Sequence, residues 1–343
     1  MAALISVNSV GVAFAKSSQD ADEPNTSSSQ SVAKESTKKK LIFGGAVLSA
    51  AVLGKFVADY FKSYDYVVGK YLASDANESE QQAFTKVSPD QWFARLGGTQ
   101  QDIDQYCRIV RSGAYINCGA KNVIRTIEVD VLREVPNSCR FGNRNENEAM
   151  MKRILKVSEY NGNASYLQGY SRYCALVMNK FLKYDTQPYS LEKEAKIYYV
   201  YRTIVSTTSD YAEQMLDPNT QFAFNLTKKV FNSGYLKKHP QIPGVLDNPD
   251  VASFAMLKSY ITSGMDVFTM RQSINIWDDI ILDRSIVNYG NFDSSKAQLR
   301  IATILNAVSL KAYNNGDVNS EINPECYSEL CEAMHHYCES LEN

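Results

Sequence analysis

The chain has 343 residues, 44% hydrophobic and 22% charged, with a formal net charge of −2. That length holds one large domain or two small ones, and the composition excludes both a polytopic membrane protein and a wholly disordered chain. With 36 Lys and Arg against 38 Asp and Glu there is no cationic excess to neutralise phosphates, so no nucleic-acid partner is expected.

The first fifteen residues end in a small-x-small sequence, Ala13-Phe14-Ala15, but no Lys or Arg precedes it, which does not fit a cleaved signal. Residues 17–37 are rich in Ser, Asp, Glu and Gln and carry no aromatic. They bury too little to offset ordering entropy, so residues 1–37 are expected to be a disordered tail.

Lys38, Lys39 and Lys40 then stand as a basic clamp before Leu41, and the 14 residues from 41 to 54 are uncharged. A membrane span needs about 20. Extending the run to Phe61 takes in Lys55 and Asp59, four apart and able to pair on one helix face. The clamp, and the aromatics Phe56, Tyr60, Phe61 and Tyr64, predict a single-pass membrane helix with the N-terminus on the cytoplasmic or matrix side. Gly45 with Ser49, and Ala46 with Ala50 and Gly54, repeat at four-residue spacing and predict helix-helix contact, hence self-association. An amphipathic extension carries the helix through Val68, Tyr71 and Leu72 to residue 74. The other reading of the same run is a core helix.

Residues 75–343 read as a mainly α globular domain, an irregular multi-helix bundle with a possible subdivision near 233–249. Ser88-Pro89 with Gln91, and Thr99 with Asp102, predict two capped helix starts, the second helix ending near Gly113. Residues 114–135 are ambiguous. Ile127, Val129 and Val131 alternate as in a strand, whereas Val123, Ile127, Val131 and Val135 fit a helix. Residues 136–148 form a polar loop whose Arg140 and Arg144 are solvated positions. Helices are then predicted over 150–160, 165–184, 190–216, 220–231, 249–262, 265–283, 295–313 and 324–341.

Two constellations suggest chemistry. On the helix over 265–283, Asp279 and Asp283 lie at i, i+4 and share a face, as oxygen ligands for a hard cation do. The stretch resembles the second aspartate-rich motif of squalene and phytoene synthases at Gln272, Asn275, Ile276, Asp279 and Asp283. That resemblance implies magnesium and a prenyl diphosphate substrate. The first aspartate-rich motif of that family has only the loop at 143–148 as its counterpart here. Near the C-terminus, Cys331, His335 and Cys338 fall at i, i+4 and i+7 on one helix face, where three soft ligands suit zinc. The seven cysteines are too sparse for a disulfide scaffold. No GxxxxGK[ST], GxGxxG or GxSxG sequence is present, so no cofactor is expected.

The anchor and the lack of a catalytic signature predict a membrane-anchored, non-enzymatic scaffold or docking subunit whose partners are other protein subunits. The alternatives are a soluble component of a large shell or virus particle, and a magnesium-dependent enzyme acting on prenyl diphosphates.

Overall fold

The computed structural model describes residues 65–73, 78–116, 119–162, 166–215, 259, 262–288, 290–314 and 327–342. The tail, the stretch from Lys38 to Phe61 with its small-residue rows, the helix predicted over 220–231 and the division at 233–249 lie outside them. All described residues belong to one unit, Asp59–Asn343.

Residues 65–71 are helical (α1). Three short helices follow, α2 Glu80–Thr85, α3 Pro89–Arg95 and α4 Gln100–Ser112. Each opens with a capping box. The hydroxyls of Ser79, Ser88 and Thr99 accept from the amides of Gln82, Gln91 and Asp102, whose side chains bond back to the cap amides. Two orphan helix donors are thereby satisfied at each start. Gly113 closes α4 with φ 68°, a left-handed conformation that glycine adopts without steric cost.

The ambiguous stretch is helical. Helix α5, Lys121–Ser138, buries Ile127, Val131 and Val135 at four-residue spacing, while Val129 is 44% and Leu132 51% exposed. The strand alternation fails because α5 packs along one stripe against the two helices that follow, which selects the 3.6-residue period. The only described strands are two residues each, β1 Val287–Asn288 and β2 Asn291–Phe292, paired as an antiparallel hairpin.

Helix α6, Arg144–Tyr160, begins six residues before the expected position, capped by the Asn143 side chain, which accepts from the amide of Asn145. Its first turn is polar and mostly exposed, so hydrophobic periodicity gives no sign of it. Helix α7, Tyr170–Leu182, forms the centre of the fold. Every residue from Tyr170 to Phe181 except Arg172 is buried, as expected of a helix covered on all sides. It packs on α5, α6, α8 (Leu191–Met215) and α9 (Met270–Leu282). Helix α10, Ser294–Asn314, contacts α8, α9 and α11, Tyr327–Ser340.

The mainly helical expectation holds. No helix among the described residues is long and apolar enough to cross a membrane.

Candidate functional site

The inward stripe of α5 is interrupted by an acid. Asp130 is buried and flanked along the helix by Ile127 and Val131, so its carboxylate needs partners. One is Tyr166, in the connection between α6 and α7, whose hydroxyl donates to Asp130 Oδ2 at 2.8 Å. The Tyr166 amide donates to Glu159 Oε2 at 2.9 Å, and its ring meets Tyr170 edge-on with centroids 6.1 Å apart. Burial, and then the Asp130 carboxylate, push the Tyr166 phenol well above its ordinary pKa, so it stays a protonated donor.

The second partner is Arg133, whose Nη2 lies 3.6 Å from Asp130 Oδ1 while its side chain is 65% exposed. Two residues beyond Tyr166 stands Gln168, exposed, followed by Gly169 with φ 106°, the residue that opens α7. Behind Gly169 lies the turn at 262–264. A Cβ on Gly169 would sit 3.5 Å from Thr262 Cγ2, and Ser263, at φ 49°, shares a 2.7 Å hydrogen bond with the Tyr173 hydroxyl. Glu134 holds Arg172 at 3.7 Å and accepts the Ser138 hydroxyl, joining the end of α5 to the start of α7.

An exposed guanidinium and an exposed amide therefore leave the surface beside one buried Asp130–Tyr166 bond. On the same face of α5, Arg125, Val129 and Leu132 are exposed, as suits a macromolecular partner. The guanidinium can meet an anion carried by that partner, and the amide can both donate to and accept from a water.

Two open clefts flank residues 183–190, but the basic groups lining them are already paired. In one, Lys180 is held by Asp278, Lys193 by Asp185 and Lys196 by Asp90. In the other, Arg153 is held by Glu194 and Lys183 by Glu80.

Residues 92–305 match RabGAP-TBC, the Rab-GTPase-TBC domain. The chain belongs to the Rab-GTPase-TBC family. Among curated proteins no match was found. Asp130, Arg133, Tyr166 and Gln168 all lie inside the matched segment.

Membership in the Rab-GTPase-TBC family overturns the membrane-anchored scaffold, the shell component and the prenyl diphosphate enzyme. The single-pass membrane assignment falls with the scaffold. It rested on the Lys38–Lys40 clamp and on extending the run to Phe61, since the uncharged stretch alone is 14 residues, short of the roughly 20 that a span needs. The expected protein partner stands.

The resemblance to squalene and phytoene synthases has a local explanation. Asp279 and Asp283 do share a face, and both carboxylates point at Arg300, whose Nη1 lies 2.5 Å from Asp279 Oδ2 and whose Nη2 lies 2.7 Å from Asp283 Oδ2. The pair thus fastens α9 to α10. Near the C-terminus, His335 Nδ1 is 2.9 Å from the Val267 carbonyl and Nε2 is 3.3 Å from Glu339. Cys338 is buried with its thiol pushed well up by burial, and the Cys331 side chain lies outside the described residues. Among the described residues no three His, Cys, Asp or Glu side chains are grouped to hold a metal ion. Arg144 pairs with Glu148 at 2.9 Å within the first turn of α6.

The site residues themselves were missed by sequence reasoning. The available signal was an acid, Asp130, set inside the Ile127–Val131–Val135 stripe once that stripe is read with helical period.

Proposed function

We propose that this protein is a GTPase-activating protein for a Rab GTPase, acting through Arg133 and Gln168. The carrying observation is the exposed Arg133 guanidinium, anchored on the buried Asp130–Tyr166 bond within the matched segment. Hydrolysis of GTP develops charge on the oxygens around the transferred phosphoryl group, and an arginine supplied in trans stabilises it by about 10³ to 10⁵ in rate. Arg133 is that arginine, its five N–H donors and permanent charge suiting phosphate oxygens. Gln168 presents an amide that accepts from the attacking water and holds it in line, the part a glutamine plays in such reactions. The chain carries no phosphate-binding loop of its own. The nucleotide arrives on the partner, which docks against the Arg125, Val129 and Leu132 face of α5.

The test is phosphate release from a panel of GTP-loaded Rab GTPases mixed with the full chain. Acceleration of at least one member is expected, with Arg133→Ala reducing it about 10³-fold or more and the melting temperature unchanged. No acceleration across the panel, or full activity in Arg133→Ala, overturns the proposal.

A further inference from the structure

We propose that Arg172 is a specificity-determining residue that takes a carboxylate on the surface of the partner GTPase, an assignment that rests on the GTPase-activating reading above. From Tyr170 to Phe181 every residue of α7 is buried but this one, so the single gap in the cover of that stretch falls one turn beyond Gln168. The gap holds an arginine whose side chain is 33% exposed.

Its internal partner does not account for it. Arg172 Nε lies 3.7 Å from Glu134 Oε2, beyond the roughly 2.7–2.9 Å of a charge-assisted hydrogen bond, and a partly exposed pair of that length contributes little stability. Glu134 also accepts the Ser138 hydroxyl. Arg153 shows what a cation that ties helices together looks like in this fold. Its Nε and Nη2 reach the two oxygens of the buried Glu194 carboxylate at 2.9 and 2.7 Å, a fork that Arg172 does not make with Glu134.

Position sets what the Arg172 guanidinium meets. Glu134 follows Asp130 by one turn of α5, a rise of about 6 Å. Arg172 is therefore held beside the centre formed by Arg133 and Gln168, not at it, and faces the protein surface around the nucleotide. The group of matching chemistry there is an Asp or Glu carboxylate, which a guanidinium binds through two parallel N–H bonds. Arg125 and Arg133 are further exposed cations on α5, so a partner with an acidic rim beside its nucleotide suits this surface.

Such a contact changes docking and leaves turnover alone. In Arg172→Ala the half-saturating concentration of the accelerated Rab GTPase is expected to rise about 5- to 20-fold, with kcat and the melting temperature unchanged. Glu134→Gln breaks the internal pair but keeps the guanidinium, and should not raise it, because a competing carboxylate is gone. Arg172→Glu should dock more weakly than Arg172→Ala, since like charges then meet. Changing each exposed Asp and Glu around the nucleotide pocket of that GTPase to Lys should find one position that restores Arg172→Glu and weakens the wild type. Equal rises in Arg172→Ala and Glu134→Gln make the arginine an internal tie and overturn the proposal. A fall in kcat alone does so by placing Arg172 on the phosphoryl group, and a scan with no restoring position does so by removing the carboxylate. Arg172→Gln, close in length, serves as the measurement if Arg172→Ala does not fold. Wild-type acceleration is measured first. Its absence removes the GTPase-activating reading and this role together, whereas its presence with an unaffected Arg172→Ala removes this role alone.

Discussion

Arg133 and Gln168 lie on parts of the chain where a one-residue difference in reading moves a side chain from solvent to core. If residues 127–131 alternate as a strand, Ile127, Val129 and Val131 face one way and Asp130 the other, a solvated acid of no interest. Read as helix, Ile127 and Val131 turn inward and carry Asp130 with them, while Val129 and Arg133 turn out. Gln168 was hidden by the opposite error. A helix running from 165 makes it one more polar helical position, but α7 starts only at Tyr170 after Gly169 at φ 106°, leaving Gln168 on a turn. Gln168→Ala is expected to reduce the GTPase-activating rate by at least tenfold in the phosphate-release assay, with thermal stability unchanged because the side chain is exposed. Arg133→Lys should not restore activity in that assay, since a compact ammonium lacks the planar fork of donors that spans two phosphate oxygens.

Helix starts written in local chemistry were readable one by one. Ser88 with Gln91 and Thr99 with Asp102 form the expected capping boxes, because each involves groups three residues apart. Contacts between elements were not readable. The turn after α3 meets the β1–β2 hairpin glycine against glycine, with Gly97 at φ 86° and Gly290 at φ 80°, and a Cβ on Gly97 would lie 2.8 Å from Gly290 Cα. The Tyr199 hydroxyl closes the same junction by donating to the Leu96 carbonyl at 3.1 Å. Gly97→Ala and Gly290→Ala should each destabilise the fold by about 2 kcal/mol, from left-handed backbone strain plus displacement of the facing backbone. Urea unfolding checks this, and a double variant less destabilised than the sum would show that the two share one contact.

Across the whole molecule, the buried triad of Trp92, Lys180 and Asp278 joins residues up to 186 positions apart. Trp92 Nε1 donates to Asp278 Oδ1 at 2.6 Å and Lys180 Nζ to Oδ2 at 2.9 Å, with a further bond from Lys180 to the Phe84 carbonyl at 2.8 Å. Helices α2, α3, α7 and α9 converge on this one ion pair. Lys180→Met leaves a carboxylate unpaired in the core and should destabilise the fold by about 3 to 5 kcal/mol in urea titrations, whereas adding Asp278→Leu should recover most of that. Burial raises the Asp278 carboxyl to about 6, outweighing the attraction of Lys180, and lowers the Lys180 ammonium. The folded chain therefore holds a proton that the unfolded chain releases near 3.8, so the stability due to Asp278 is full below that pH and falls as pH rises through about 6. Urea midpoints from pH 4 to 6.5 should decline more steeply for the wild type than for Asp278→Asn.

The sequence by itself determined the mainly helical class, the capped starts of α3 and α4, the end of α4 at Gly113 and the shared face of Asp279 and Asp283. Each of these depends on residues within about one or two turns of one another. Tertiary structure decided the period of residues 121–138, the use of Asp279 and Asp283 as a clamp for Arg300, and the meeting of Asp130 with Tyr166. Those outcomes depend on which buried polar group finds which partner across the fold, and a buried carboxylate must find one because leaving it unpaired costs more than any local propensity can return.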